Sequence, residues 1–578
     1  MTSFRFHNFD FTQSSVMGAD AAEPMMSNWP VVYLIHSPSD IYVGETGGAT
    51  GRLFQHLQSD AKRHLEEVRL VLDKSFNKSV CLDLESYLIR LLSGDGRYAV
   101  LNRNEGITNR EYYQRGDYQK KFDEIFEELR ALGYFTRSIP EIENTDLFKL
   151  SPYKALNTEQ AVAVNEVMEG LVEDLETDRR SVSVIQGGPG TGKTVVGIYL
   201  IKLLRDLATF DPSDEVHGDS VFSDYFLQGS RDLFENLHVG LVVPQQSLRK
   251  SIQKVFLRIP ALRDVRVLSA FDVAESPEDF DVVVVDEAHR LTQRAAQAHG
   301  TLTKRYVDIV RSMRGEDDLT VTQLDWIRHR ARHVVLLLDS GQSVRPADLD
   351  ASTLDAVCAE ARAHSRLYPL TTQMRVAGGS AYVECIAAVM SGKTPSPAPD
   401  DFAYDLRMFD DLAEMHQAIR ARDADVGLSR LVAGYAWKWV SAKDKQAADI
   451  EIDGVRLRWN GTATDWINSR RALEEVGSIH TVQGYDLNYA GVIIGKDLQY
   501  DPGAGRLVIS RNDYFDSKGK ANNPMVGKVT TDADLERYIT NIYRVLLTRG
   551  MRGTYIYVVD PVLRDYLRTA LNTYLNRH

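Results

Sequence analysis

An apolar run, Val182-Ser183-Val184-Ile185, is followed by Gly187-Gly188-Pro189-Gly190-Thr191-Gly192-Lys193-Thr194 and then by a helical pattern over residues 195–203. A buried strand must end here, the chain must turn where glycine best tolerates the backbone angles, and a helix must begin with its unpaired N–H groups aimed at the turn. Such a turn concentrates positive potential at one point and binds phosphate. Lys193 has the reach for the β- and γ-phosphates of a nucleotide, and the Thr194 hydroxyl can ligate Mg2+. Gly187, Gly188, Pro189, Gly190, Thr191, Gly192, Lys193 and Thr194 together form a candidate nucleotide site.

The complement of a phosphate loop is an acidic residue at the end of a neighbouring strand. Val282-Val283-Val284-Val285 leads into Asp286-Glu287-Ala288-His289. Asp286 is placed to bind the metal through water, and Glu287 to orient or deprotonate an attacking water. From residue 156 onward, strands alternate with helices, the pattern of parallel α/β sheets. Strands are predicted at residues 182–186, 239–243, 282–285, 334–338, 431–435, 491–494 and 554–559, too many for one compact sheet with its helices. Two sheets divided after Asp339 fit better, with the acidic stretch 206–236 as an insertion in the first.

The length, 578 residues, requires more than one core. Hydrophobic residues at 43% and charged residues at 26% match soluble globular chains. A formal charge of -13 argues against coating nucleic acid through a global positive field but leaves room for charge confined to one groove. Cys81, Cys358 and Cys385 show no paired spacing, so neither a zinc site nor a disulfide framework is expected. No basic start with an apolar core opens the chain, and no apolar run reaches the roughly 20 residues a membrane helix needs. A cytoplasmic protein without membrane contact is expected.

Other strings resemble one family. Leu156-Asn157-Thr158-Glu159-Gln160 ahead of the glycine loop, Asp286-Glu287-Ala288-His289, and Asp339-Ser340-Gly341-Gln342 after a further apolar run resemble the ordered motifs of superfamily 1 helicases. The resemblance continues with Leu370-Thr371-Thr372-Gln373-Met374-Arg375, His480-Thr481-Val482-Gln483-Gly484 and Leu547-Thr548-Arg549-Gly550. These strings look most like a bacterial group of ATPases related to the Schlafen-type helicase domain. The resemblance implies two RecA-like parallel-sheet lobes, residues 151–350 and 351–578. It further implies Gln160 as the adenine reader that selects ATP, Gln342 as a γ-phosphate sensor, and Gln483 in a coupling motif. Arg375 and Arg549 would stabilise charge on the transferring phosphoryl group when the cleft closes. Residues 239–250, with Gln245, Ser247, Arg249 and Lys250, match the region that touches the nucleic-acid backbone in that superfamily.

The N-terminal region reads as a small α+β unit: Val31–His36 and residues 41–44 as strands, then helical segments over residues 52–64 and 81–92. Tyr33, Tyr42, Arg52, His56, Glu85 and Asn102, in that order, resemble the GIY-YIG nuclease domain, with Val31-Val32-Tyr33 where Gly-Ile-Tyr is usual. Arg52 and His56 stand one helical turn apart and can face one phosphate. The resemblance implies Tyr33 or Tyr42 assisting a water, Glu85 holding Mg2+, and Arg52 holding the phosphate, the inventory phosphodiester hydrolysis needs. The expected plan is a tail over 1–29, a GIY-YIG-like domain over 30–110, and a connecting helix and linker over 111–150.

The expected activity is ATP-dependent cleavage of DNA, plausible in bacterial defence against phage, with a homo-oligomer or accessory defence proteins as partners. The alternatives are an ATP-driven nucleic-acid-binding switch that does not cut, and an enzyme acting on RNA.

Overall fold

The computed structural model describes residues 4–103, 112–210, 221–227, 231–295, 300–339, 342, 345–462, 465–482 and 485–576. The chain forms two compact units. One comprises Met1–Asp178, Val195–Leu237 and Ile252–Val265, and the other Arg179–Thr194, His238–Ser251 and Arg266–His578.

The first unit contains a five-stranded sheet in the order Phe4–Asp10, Glu67–Asp73, Val31–His36, Asp40–Thr46, Ala99–Val100. The pairings are antiparallel except the last. The hairpin of Val31–His36 with Asp40–Thr46 sets Tyr33 opposite Gly44 and Ile35 opposite Tyr42. Tyr33, Ile35, Leu53, Val68, Leu70 and Leu72 lie in its core. Helix Lys78–Asp95 starts where the Asn77 side chain accepts the Val80 N–H at 3.1 Å and stops at Gly96, with φ 71°. Helix Arg115–Ala131 buries Phe122, Ile125, Phe126 and Leu129, one apolar stripe at helical spacing.

Two stretches of this unit differ from the expected plan. The stretch 1–29, expected to be a tail, supplies strand Phe4–Asp10 and helices Gln13–Ala22 and Met25–Asn28. Its strand takes shape by pairing with Glu67–Asp73, a distant partner that no local pattern announces. The stretch expected as a linker contains helices Ile139–Glu143, closed by a Ser138/Glu141 capping box, and Asp146–Lys149, capped by Thr145. Pro140 there occupies the first turn of a helix, where proline costs no hydrogen bond.

The second unit holds two larger sheets. The first, wholly parallel, has the order Leu367–Leu370, Ser181–Gly187, Ala331–Leu338, Phe280–Val285, Val239–Val242, Arg266–Leu268. The second runs Asp405–Phe409, Gly550–Val558, Leu487–Ile494, Ser429–Ala433, Glu475–Ser478, Val455–Trp459, Ile450–Ile452. It is parallel except for the terminal hairpin of Ile450–Ile452 with Val455–Trp459. Mixed α/β architecture with parallel sheets fits a RecA-like fold. The first sheet takes its edge strand from Leu367–Leu370, so the division between sheets falls after Leu370 rather than between residues 350 and 351. Pro369 explains the concealment: a four-residue strand containing proline reads as a turn but is tolerated at an edge.

Candidate nucleotide-dependent active site

Strand Ser181–Gly187 delivers the glycine loop and helix Lys193–Ala208 leaves it. Gly190 and Gly192 have φ of 81° and 79°, the left-handed region that L side chains resist. A Cβ on Gly190 would also collide with the Gln373 amide, whereas one on Gly188 would meet nothing within 4 Å. The Lys193 ammonium is held inside the turn. It donates to the carbonyl oxygens of Gly187 at 2.7 Å and Gly188 at 2.8 Å and stands 3.6 Å from Asp339 Oδ2. Thr191 Oγ1 closes the loop by donating to the Gly188 carbonyl at 3.1 Å.

The acidic strand end meets the loop directly. Thr194 Oγ1 lies 2.9 Å and 3.1 Å from the two carboxylate oxygens of Asp286, which sits at the end of Phe280–Val285. Glu287 follows with φ 50° and ψ 45°, a left-handed conformation uncommon for a residue with a side chain. His289, fully buried, places Nε2 3.1 Å from Glu287 Oε2. Burial and the neighbouring Glu287 charge push Asp286 above the usual carboxylate range. For Glu287 burial acts upward too, but His289, Lys193 and Arg549 outweigh it and hold the group well below that range. Adjacent carboxylates are thereby driven apart, the arrangement that assigns two acids different tasks.

The remaining motifs converge on the same place. Gln342 donates from Nε2 to Asp339 Oδ2 at 2.5 Å. Arg375 pairs with Asp486 at 2.5 Å. Arg549 is 1% exposed and donates to the Tyr485 carbonyl at 3.1 Å. Burial and the Arg375 charge push Arg549 down to about 9, against the pull of Asp486, Glu287 and Asp339. It therefore remains a cation at neutral pH and shares a field with the carboxylate beside Asp286. Gln160 belongs to the first unit, where its Oε1 accepts the Asn157 N–H at 3.1 Å and completes a capping box for Thr158–Glu176. Gln483 lies outside the described residues.

The donor set suits a nucleoside triphosphate with Mg2+. It contains a cationic loop, a hydroxyl and carboxylate sharing one locus, and two arginines. It also contains buried Gln342 Oε1 and Arg549 Nε, each without a hydrogen-bond partner among the described residues.

The sequence motifs gave no role to Gln373. Its Nε2 donates to the Pro189 carbonyl at 2.6 Å, its Oε1 accepts the Arg375 N–H at 2.9 Å, and the Met374 N–H donates to the Gly190 carbonyl at 2.9 Å. The segment carrying Arg375 is thus tied to the phosphate loop. Nor did they foresee the surroundings of His480, whose Nε2 lies 3.4 Å from Asp516 Oδ2. Burial and the Arg345 charge push it down to about 3. The His480 carbonyl accepts from Gln245 Nε2 at 2.9 Å, and Ser251 Oγ lies 3.1 Å from the Tyr485 hydroxyl. Partners more than two hundred residues away in the chain leave no local signature.

In the first unit, Tyr33, Tyr42 and His56 form an aromatic cluster. Tyr33 OH lies 2.8 Å from His56 Nε2, and the Tyr42 and His56 rings are 4.9 Å apart. Lys62 Nζ stands 3.1 Å from His56 Nδ1 and 4.0 Å from the Tyr42 ring centre. Burial raises the Tyr33 phenol well above its ordinary value, as does Tyr42; Arg52 acts against them and Glu85 adds a smaller upward push. Arg52 and Glu85 are each 8% exposed. Gly44 has no side chain because the Tyr33 ring lies over it. Asn102 clamps the neighbouring strand, accepting the Val43 N–H at 3.1 Å and donating to the Val43 carbonyl at 2.7 Å. Among the described residues no group of three or more His, Cys, Asp and Glu is arranged to hold a metal.

No helix among the described residues is long and apolar enough to cross a membrane. An uncharacterized protein of Saccharomyces cerevisiae is 28% identical over 413 residues, covering 66% of this chain and 83% of its own length. The family described as Schlafen group 3, DNA/RNA helicase domain, matches residues 180–560. That span contains the glycine loop, Asp286, Glu287, Gln342, Arg375 and Arg549, and takes in well over half of the 578 residues. The chain belongs to the Schlafen group 3 DNA/RNA helicase-domain family.

Proposed function

We propose that the chain hydrolyses ATP while engaging DNA, and that its N-terminal unit cleaves phosphodiester bonds. The observation that carries the ATPase reading is the common field of Glu287, Arg549, Lys193 and Asp339 around the Thr194–Asp286 contact. Bound Mg2+ would neutralise charge on the β- and γ-phosphates, with Thr194 and Asp286 holding it. Lys193 exchanges its loop carbonyls for phosphate oxygens. Glu287, kept ionised, accepts a hydrogen bond from the attacking water and orients it. Arg375 and Arg549 oppose the negative charge that develops on the phosphoryl oxygens.

The nuclease reading is supported by Tyr33, Tyr42, His56, Arg52 and Glu85 sharing one corner of the first unit. His56 orients the Tyr33 hydroxyl, Tyr33 or Tyr42 assists the attacking water, Arg52 holds the scissile phosphate, and Glu85 would hold Mg2+. The single-strand-cutting inventory makes a dimer the natural route to double-strand breaks. The fusion of motor and nuclease is the ground for proposing a role in defence against foreign DNA.

One experiment tests both halves. Purified protein with Mg2+ and supercoiled plasmid is expected to nick, and Glu85→Ala to abolish nicking while ATP turnover persists. Lys193→Ala is expected to abolish turnover. Nicking that survives Glu85→Ala removes the nuclease. ATP turnover unaffected by single-stranded DNA or RNA replaces the motor with a nucleotide switch.

A further inference from the structure

The second sheet presents an aromatic and basic surface that the helicase motifs leave unused. Strand Ser429–Ala433 runs into Gly434-Tyr435-Ala436-Trp437-Lys438-Trp439-Val440. Three aromatic residues at a spacing of two surround a fourth, Trp459, buried at the end of Val455–Trp459. Ring centres stand 5.7 Å from Trp459 for Tyr435 and 6.4 Å for both Trp437 and Trp439. Trp439 is 41% exposed.

The exposure is built rather than incidental. Asp449, buried beneath the loop, accepts the Ser441 N–H at 2.7 Å, the Ser441 hydroxyl at 2.5 Å and the Trp459 N–H at 2.8 Å. Arg458 Nη1 donates to the Lys445 carbonyl at 2.5 Å. These contacts fix the loop at both ends while Trp439 stays in solvent.

The surround is cationic. Lys438, Lys443, Lys445 and Arg458 are exposed, against exposed Asp444 in the same loop. On the adjoining hairpin Arg456 is matched by Glu451 at 3.0 Å, and exposed Asp453 at its turn accepts from the Tyr557 hydroxyl at 3.4 Å. In a chain of net charge -13 this local excess selects an anion. The exposed large apolar side chains of the loop are Trp439 and Val440, short of the contiguous apolar core of a stable protein interface. A flat ring flanked by cations suits a base and its phosphates.

The surface also continues to residues with a nucleic-acid assignment. The Tyr435 and His480 ring centres are 5.5 Å apart, and the His480 carbonyl accepts from Gln245 at the start of the segment that carries exposed Lys250. Tyr435 and His480 both follow parallel strands of one sheet, at its carboxyl edge, where α/β sheets bind their ligands.

We propose that the loop 434–447 is a stacking platform for single-stranded nucleic acid, with a base on the free face of Trp439 and backbone phosphates on Lys438, Lys443, Lys445 and Arg458. The assignment rests on the nucleic-acid reading above and names where the strand lies.

Fluorescence anisotropy of the full chain with a fluorescein-labelled oligo-dT, the matching oligo-rU and a blunt duplex of the same length tests it. Trp439→Ala is expected to weaken oligo-dT binding about tenfold, the scale of one stacked base, with Trp439→Phe restoring most of it. Lys443→Ala with Lys445→Ala is expected to flatten the slope of log affinity against log salt by about 0.7 for each phosphate no longer neutralised. A wild-type melting temperature identifies each variant as folded. Failure of the wild-type chain to bind any of the three probes removes the nucleic-acid reading itself. Tight wild-type binding that both variants retain in full overturns the platform alone. So does a sedimentation change in Trp439→Ala with oligo binding intact, which makes the patch a protein contact. Equal losses for duplex and single strand also overturn it.

Discussion

Two aspartates in the second unit sit in opposite electrostatic settings, and the difference has a thermodynamic consequence. Asp516, despite its burial, is pulled down to about 2 by His480 and Arg345. Asp497 is pushed up to about 7 by burial, although the Tyr543 hydroxyl donates to its Oδ1 at 2.6 Å. Below the ordinary value of 3.8, folded and unfolded chains both hold the Asp497 proton and the group contributes nothing. From there to about 7 the unfolded chain releases the proton first, so stability falls as pH rises, and above about 7 the full penalty remains. Its ceiling is about 4 kcal/mol. Asn keeps the oxygen that accepts from Tyr543 and carries no charge to bury. Asp497→Asn is therefore expected to raise the melting temperature at pH 8 and to change it far less at pH 4. Equal shifts at both pH values would assign the effect to packing. Nothing in the local sequence marks Asp497, because its neighbours Tyr543 and Tyr514 come from elsewhere in the chain. Lys193, Thr194 and Asp286 were legible for the opposite reason: their chemistry is written in contiguous strings.

Among elements, what the sequence revealed follows how each is buried. Val282 to Val285 are 0% exposed, and strands covered on both faces read as unbroken apolar runs. Read in that way, the predicted stretches 182–186, 334–338, 491–494 and 554–559 fall within or overlap Ser181–Gly187, Ala331–Leu338, Leu487–Ile494 and Gly550–Val558. Phe4–Asp10, with half its residues facing solvent, and Leu367–Leu370, with Pro369, were not predicted, because edge strands owe their form to a partner. The segment after Leu367–Leu370 matters most for the site. A single glutamine, Gln373, spans the Pro189 carbonyl and the Arg375 N–H, so the arginine is registered against the loop that receives the phosphates. Gln373→Ala removes both bonds while leaving Lys193, Thr194 and Asp286 in place. The expected result is a fall of about tenfold in ATP turnover, the scale of one to two hydrogen bonds, with nucleotide affinity little changed. Affinity and turnover falling together would instead mean that Gln373 supports the loop's fold.

At the scale of the whole molecule, the proposed activity requires communication between hydrolysis and cleavage, and one helix carries residues concerned with each. Lys193–Ala208 opens with the phosphate-loop lysine. About 13 Å further along its axis, Lys202, 1% exposed, pairs with Asp206 at 2.7 Å and donates to the Asn102 carbonyl at 3.1 Å, with Tyr153 4.9 Å away. Asn102 in turn grips both polar groups of Val43, the strand neighbour of Tyr42. The far end of this helix is thus bonded, through Asn102, to the strand that carries Tyr42. Removing Lys202 alone would break a buried ion pair, a loss of roughly 3–5 kcal/mol that would confound any reading. Lys202→Met combined with Asp206→Asn cancels both charges and keeps the helix packed. In the native chain, nicking of plasmid is expected to differ between ATP-bound and nucleotide-free protein. In the double variant, nicking is expected to proceed at one rate in both conditions, while ATP turnover stays within about twofold of native, because Lys202 and Asp206 stand more than two helical turns beyond the loop. A double variant that nicks plasmid with the native response to ATP would reduce Lys202 to a packing residue and send the search for the coupling path to the other elements around Asn102.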